Sequence, residues 1–154
     1  MRFAPQECRT FFVSSRTAKH QPLFRKAAFA ELFIDVLLKN RSQGRMLVHE
    51  FVVMHEHIHV ILTPAFENPL EKAVQFLKGG FSFRVKKELG YQWEVWQPGF
   101  NEHRLKDAED YRGHVVYTHE NPVRAGYVQV ASDYPYSSAS GRYELDPPPE
   151  HLHG

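Results

Sequence analysis

Three histidines stand at alternate positions in the run FVVMHEHIHVILTP, Phe51 to Pro64: His55, His57 and His59. The flanking FVVM and VILTP are apolar and β-branched, the composition of a strand. Side chains alternate faces along a strand, so the three imidazoles share one face while Ile58 and Val60 take the other. Neutral imidazole is the commonest side-chain metal ligand, and two of them two residues apart converge on one divalent cation. The bland alternative is a strand with one wet face that happens to carry histidine. A catalytic site needs a third ligand and an open position. Glu50 and Glu56 alternate onto the face opposite the histidines, so the third ligand is expected from elsewhere in the chain.

The elements that must hold such a site follow from periodicity. Arg9 to Thr17 is β-rich and reads as a first strand. From Phe24 onward Phe29, Leu32, Phe33, Val36 and Leu37 recur at three- and four-residue spacing, an amphipathic helix that Gly44 terminates. Met46–Val53 and Ile58–Thr63 are two strands joined near His55 and Glu56 and closed by Pro64. Pro69 opens a second helix through Leu70, Ala73, Val74, Leu77 and Phe81 towards Leu89. Gly79 and Gly80 weaken its middle by roughly 1 kcal/mol each against alanine, so a bend or break is expected there. A short strand falls at Phe100–Leu105, and Asp107 caps a further helix carrying Tyr111, His114 and Tyr117. Asn-Pro at 121–122 closes that helix or starts a new one, because proline disfavours helical geometry in the residue before it. The order strand, helix, strand, strand, helix, strand, helix is an α+β fold. It is the ferredoxin-like βαββαβ antiparallel sheet with an added C-terminal helix that carries the tyrosine.

A chain of 154 residues fits one domain. It is expected over residues 9–140, with flexible ends at 1–8 and 141–154. Cys8 is the single cysteine, which excludes a disulfide framework and a cysteine-based zinc site. The start MRFAPQECRTFF lacks the apolar core of a signal peptide, and no apolar run is long enough to span a bilayer. A cytoplasmic protein without membrane attachment is the expectation. Net charge is +1, so no global electrostatic argument points to nucleic acid. Bases do outnumber acids between Lys72 and Lys106, an excess that suits a phosphate backbone or an ordinary solvated helix face.

The pattern of apolar run, His, apolar residue, His, apolar run resembles the HUH motif of the HUH endonucleases. WQPGFNEHRLKDAEDYRGHVVYTHENPVRAGYV, Trp96 to Val128, resembles the C-terminal signature of the single-tyrosine transposases. The similarity is to the REP-associated tyrosine transposases, which act on palindromic repeats, and LEKAVQFLKGGFS is text of the same group. The resemblance spans Arg9 to Ala139. It implies that His57 and His59 are metal ligands, that Tyr117 is the nucleophile and that Asn121 is the third ligand. One departure is plain: Met54-His55-Glu56-His57 stands where the family has Met-Pro-Asn/Asp-His, so His55 replaces a proline and has no family role. From the residues alone, Tyr117 reads better as a core or rim aromatic, and Asn121 reads also as a helix cap before Pro122; the resemblance tips both towards function.

Chemistry agrees with the assignment. Tyr117 and Asn121 are four apart and share a helix face, which His114 joins as a possible proton relay. A phenol with a pKa near ~10 needs activation before it attacks phosphorus, and a divalent cation can polarise the scissile phosphate. Mg2+ or Mn2+ is the expected ion, although zinc also binds imidazole. The implied activity is metal-dependent nicking and strand transfer of single-stranded DNA beside a hairpin, through a 5′-phosphotyrosine. The competing readings are a non-catalytic module for palindromic DNA and a nuclease that uses water. Lys78, Arg84, Lys86 and Lys87 are candidate phosphate contacts, with Arg16, Lys19 and Arg124 as more distant candidates. Phe81, Phe83, Tyr91, Trp93 and Trp96 include possible stacking platforms among aromatics that are mostly core. His103 and His119 read as surface residues, and DYPYSSAS carries no assigned chemistry. A monomer is favoured over a helix-swapped homodimer.

Overall fold

The computed structural model describes residues 9–153. Strand β1 (Phe11–Arg16), helix α1 (Ala27–Ser42), strands β2 (Met46–Val53) and β3 (His57–Pro64), helix α2 (Leu70–Leu89), strand β4 (Asn101–Arg104) and helix α3 (Ala108–Arg124) follow in that order. The strands form one sheet of order β2-β3-β1-β4, antiparallel at every pairing. This is the ferredoxin-like βαββαβ sheet expected from the sequence, with α3 added after the last strand. The N-terminal segment 1–8, expected to be flexible, lies outside the described residues.

Alternation along the strands sorts side chains into two layers. Val13, Val48, Phe51, Ile58, Val60 and Leu62 meet Phe33 and Leu37 of α1 and Leu77 and Phe81 of α2 on one face. The other face holds Phe12, Ile61, Leu105 and Tyr111, together with Val52, Met54 and Tyr134. Helix α3 and the chain after it therefore cover the second face, and β3 between two layers is buried along nearly its whole length.

The alternation breaks once, and the break matters. The register of β2 against β3 slips between Val48 and Glu50, a bulge that puts two successive residues on one side. Val48 and Phe51 both belong to the α1/α2 core, so His49 and Glu50 between them turn to the α3 side. Strict alternation had placed Glu50 opposite the histidines; the bulge reverses that. Glu56 is likewise not opposite them, because it sits in the β2–β3 turn with its carboxylate 3.5 Å from His57 Nδ1.

Helix α2 runs unbroken through Gly79 and Gly80, against the expected bend. A Cβ on Gly80 would lie 3.2 Å from Val36 Cγ1, so this glycine lets α2 approach α1 closely. Fully burying Phe81 next to it contributes roughly 1.5–3 kcal/mol, which outweighs about 1 kcal/mol of propensity per glycine. Helix α3 also continues through Pro122 to Arg124. The proline removes a backbone donor only in the last turn, where a kink disturbs little.

Residues 141–153, expected to be a flexible end, are docked instead. Arg41 makes a two-pronged ion pair to Asp146 at 2.9 and 3.1 Å, and the same carboxylate accepts the Val48 N–H at 2.9 Å. Leu152 is buried against Ile61, Leu105 and Tyr111. The preceding segment closes the outer edge of β2: Val53 N–H donates to the Tyr136 carbonyl at 2.9 Å, and Val52 bridges Ser137. Covering an open strand edge in this way prevents stray pairing with another chain.

Candidate active site

His57 and His59 lie side by side on β3, their rings 4.8 Å apart. The neighbouring strand β1 sets Arg16 opposite His57 and Ser14 opposite His59. With His59 Nδ1–H donating to the Ser14 hydroxyl at 2.6 Å, Nε2 keeps its lone pair, the outer-shell arrangement that orients a metal-binding imidazole. Burial, then the neighbouring His57, Arg16 and Arg124, push the His59 pKa down to about 3. Burial and Arg16 also lower His57. Both imidazoles are therefore neutral near pH 7, the form that donates a lone pair.

Helix α3 is started by the Asp107 carboxylate, which accepts the Asp110 N–H at 2.8 Å. Its rise over the second face of the sheet brings the Tyr117 ring to 5.6 Å from His59, edge on. Phe12 fixes this distance: it stacks on His59 at 5.1 Å and meets Tyr117 edge on at 5.9 Å. Tyr117 is 45% exposed and Asn121, one turn on, only 9%, so the helix shows the phenol to solvent and the amide to the interior. The Arg124 guanidinium lies over the Tyr117 ring at 4.5 Å and donates to the Tyr117 carbonyl at 3.1 Å.

Three buried atoms here lack any hydrogen-bond partner: His57 Nδ1, His59 Nε2 and Asn121 Nδ2. The Glu56 carboxylate is too distant at 3.5 Å to satisfy the first. An unsatisfied buried polar atom costs about 1–3 kcal/mol, and two of the three belong to rings only 4.8 Å apart. The two imidazoles could hold a divalent cation, and the Asn121 amide, turned to present its oxygen, is a donor of the type that completes such a set. Beside the histidines a cavity of about 420 Å3 opens between β1, β3 and the 97–101 loop. Lys78 props that loop by donating to the carbonyls of Gln97 at 3.2 Å and Gly99 at 2.7 Å.

Of the residues named from the sequence, His57, His59, Tyr117, Arg16 and Arg124 come together, and Asn121 is buried one turn beyond Tyr117. The others do not join them. His55 leaves the strand face for the turn, where it stacks on Tyr127 at 3.8 Å and 12°. His114 turns to Phe12 at 4.8 Å and His103 at 4.7 Å, and no hydrogen bond links it to Tyr117 among the described residues. The Lys78 ammonium is engaged by the loop carbonyls, and Arg84 is held by Asp35 at 2.6 Å and Glu88 at 2.7 Å. Arg84, Lys86 and Lys87 all lie on α2, across the sheet from the histidines.

Three contributors escape sequence reasoning. Ser14 becomes visible only through the β1–β3 register. Glu50 reaches α3 only through the bulge, where its carboxylate accepts from His119 Nε2 and from the Ser138 hydroxyl, each at 2.7 Å. His119 is thus a strut between helix and sheet rather than a free surface residue, and DYPYSSAS supplies its second anchor. Phe12 carried no signal beyond strand composition.

A ferredoxin-like sheet with paired histidines on a central strand, and a tyrosine on the helix laid beside them, defines a tyrosine transposase of the HUH class. Residues 8–111 match the family described as Transposase IS200 like. The chain is 33% identical over 122 residues to the REP-associated tyrosine transposase of Escherichia coli K12, covering 75% of this chain and 71% of that protein. It superposes with a TM-score of 0.71 and 27% identity on a REP-associated tyrosine transposase bound to a REP hairpin, across 90% of this chain and 84% of the other. A protein from Deinococcus radiodurans R1, at 19% identity and a TM-score of 0.54 over 73% and 88% of the two chains, shares the fold. The chain belongs to the IS200-like transposase family.

Proposed function

We propose that this transposase nicks single-stranded DNA beside a hairpin and rejoins it through a 5′-phosphotyrosine on Tyr117. The observation that carries the reading is the meeting, in a single chain, of an exposed phenol with two buried imidazoles whose His57 Nδ1 and His59 Nε2 lack partners, the unpartnered Asn121 amide following one turn along the tyrosine helix. The hairpin is proposed because the relative with a TM-score of 0.71 is one bound to a REP hairpin.

His57, His59 and Asn121 would hold a divalent cation, magnesium or manganese, which when bound polarises a phosphate and stabilises the charge that develops on it. The chain's own residues do the rest. Tyr117 Oη attacks phosphorus and its proton leaves to solvent, to which the phenol is open. The bond from phosphorus to the 3′-oxygen breaks, and that oxygen takes a proton. The phosphate ester passes from deoxyribose to tyrosine, so the reverse attack by a 3′-hydroxyl rejoins a strand without ATP. Arg16 and Arg124, the two guanidinium groups at the site, meet the phosphates that flank the scissile one. Phe12 keeps the tyrosine from rotating away. Because Tyr117 faces His59 of the same chain, a monomer completes its own site.

The test incubates the protein and Mn2+ with labelled hairpin oligonucleotides that carry single-stranded flanks. A covalent protein–DNA band that disappears in Tyr117→Phe is expected. Cleavage that persists in Tyr117→Phe would instead mean that water is the nucleophile, and tight binding without cleavage would mean a binding module. His55, stacked on Tyr127 outside the site, can be replaced by proline with cleavage retained.

A further inference from the structure

A second group of metal-ligating side chains lies beyond Phe12 from the histidine pair. His103 projects from β4, and Asp110 and His114 from the first turns of α3. One nitrogen of each imidazole and one carboxylate oxygen lie within 4.8 Å of one another. We propose that these three residues form a second divalent-cation site, of zinc type, that fastens β4 to the start of the tyrosine helix.

The carboxylate is aimed before any ion arrives. Asp110 Oδ2 accepts the Lys106 N–H at 3.2 Å, and the Asp110 N–H donates to Asp107 at 2.8 Å. Both oxygens of the carboxylate face His103 Nε2, Oδ2 at 2.9 Å and Oδ1 at 3.1 Å, and Oδ1 lies 3.3 Å from His114 Nδ1. The His114 ring is also fixed. Without an ion its Nδ1–H donates to the Asp110 carbonyl at 2.9 Å; coordination through Nδ1 moves that proton to Nε2 and replaces this bond with the one to the cation. The His103 and His114 rings lie nearly parallel, 4.7 Å apart at 19°. Tetrahedral zinc with bonds of about 2.0–2.2 Å separates its ligand atoms by roughly 3.3–3.5 Å. The present spacings to Asp110 meet that with movements of a few tenths of an ångström.

The donor set selects the ion. Two imidazoles and one carboxylate suit zinc, cobalt or nickel, whereas magnesium prefers an all-oxygen shell. All three side chains are between one-fifth and one-half exposed, so water can fill the remaining positions. The second ion would not act as the partner of a two-metal clamp, which requires ions roughly 3.5–4 Å apart. Phe12 stands between, stacked on His59 on one side and against His114 on the other. Its effect is mechanical. β4 is four residues long and exposed throughout, and among the described residues it pairs only with β1. A cation bridging it to Asp110 and His114 pins the helix that carries Tyr117.

The test uses untagged protein stripped with chelator, dialysed against Zn2+ and counted for bound metal, with Co2+ absorption as the report on coordination. Wild type is expected to hold two equivalents, His103→Asn one and Asp110→Asn one. The His57→Ala/His59→Ala double variant is expected to keep one equivalent and to lose it when His103→Asn is added. Zn2+ should raise the Tm of the double variant by several degrees and leave that of the triple variant unchanged. The proposal is overturned if His103→Asn and Asp110→Asn, folded by circular dichroism, each hold as much metal as wild type. It is overturned equally if the double variant holds none. Metal retained only at His103, Asp110 and His114 would support this site while counting against the cation at His57 and His59.

Discussion

The strut between Glu50 and His119 is the only side-chain bond that ties the middle of α3 to the sheet among the described residues, and it can be cut cleanly. In Glu50→Ala the His119 Nε2–H and the Ser138 hydroxyl lose a shared acceptor at 2.7 Å. Ser138 can still donate to the Phe51 carbonyl at 3.1 Å, so most of the loss falls on His119. Hydrogen bonds to charged groups are worth about 1.5–3 kcal/mol. The two side chains are 29% and 21% exposed, and solvent screening reduces this to about 1–2 kcal/mol. For a chain of this size that lowers Tm by roughly 2–8 °C. A double-mutant cycle with His119→Ala should show coupling of about 1 kcal/mol, because contacting residues are non-additive. Strand nicking should fall further than hairpin affinity, since His119 lies two residues from Tyr117 on the same helix. Additive effects in the cycle, or a Glu50→Ala protein that melts within a degree of wild type, would refute the strut.

Three further outcomes follow from the same geometry. Gly79→Ala should stabilise by about 0.5–1 kcal/mol in denaturant unfolding, because helix propensity is gained and the added Cβ meets only the mobile end of Gln75 at 2.8 Å. Asp146→Ala should destabilise by about 1–3 kcal/mol, since it strands the Arg41 guanidinium and the buried Val48 N–H together. His49 gives a pH dependence: its Nδ1–H donates to the Asp146 carbonyl at 2.9 Å and its Nε2 accepts from Thr63 at 2.8 Å. Burial holds its pKa below 6.5. As pH falls through 6.5 the unfolded chain takes up this proton and the folded one does not, so stability is complete above 6.5 and declines below it. His49→Gln should flatten the slope of Tm against pH between 7 and 5; an unchanged slope would remove His49 from the account.

The layers of this fold could be read from the chain because two periods were clear: alternation in β1, β2 and β3, and helical spacing in α1 and α2. The helices were less legible where a local rule met a tertiary demand. Gly79 and Gly80 sit mid-helix because α1 must come close, and Pro122 is tolerated because the helix ends just beyond it. The side-by-side placement of His57 and His59 could be read because strand alternation is short-range, whereas Tyr117 and Asn121 were named by the family resemblance, with which their four-residue spacing only agreed. Ser14, Phe12, Glu50 and the docked tail were invisible for a common reason: each depends on strand register or on a bulge, which no local pattern encodes. His55 shared the histidine spacing without sharing the site, since β3 begins only at His57.

The most direct test of the central claim is to digest the covalent protein–DNA adduct and locate the modified peptide by mass spectrometry. The expected result is a 5′-phosphonucleotide on Tyr117, formed in Mn2+ and absent from His57→Ala and His59→Ala. An adduct on Tyr111 or Tyr127, or cleaved DNA with no modified tyrosine, would contradict it.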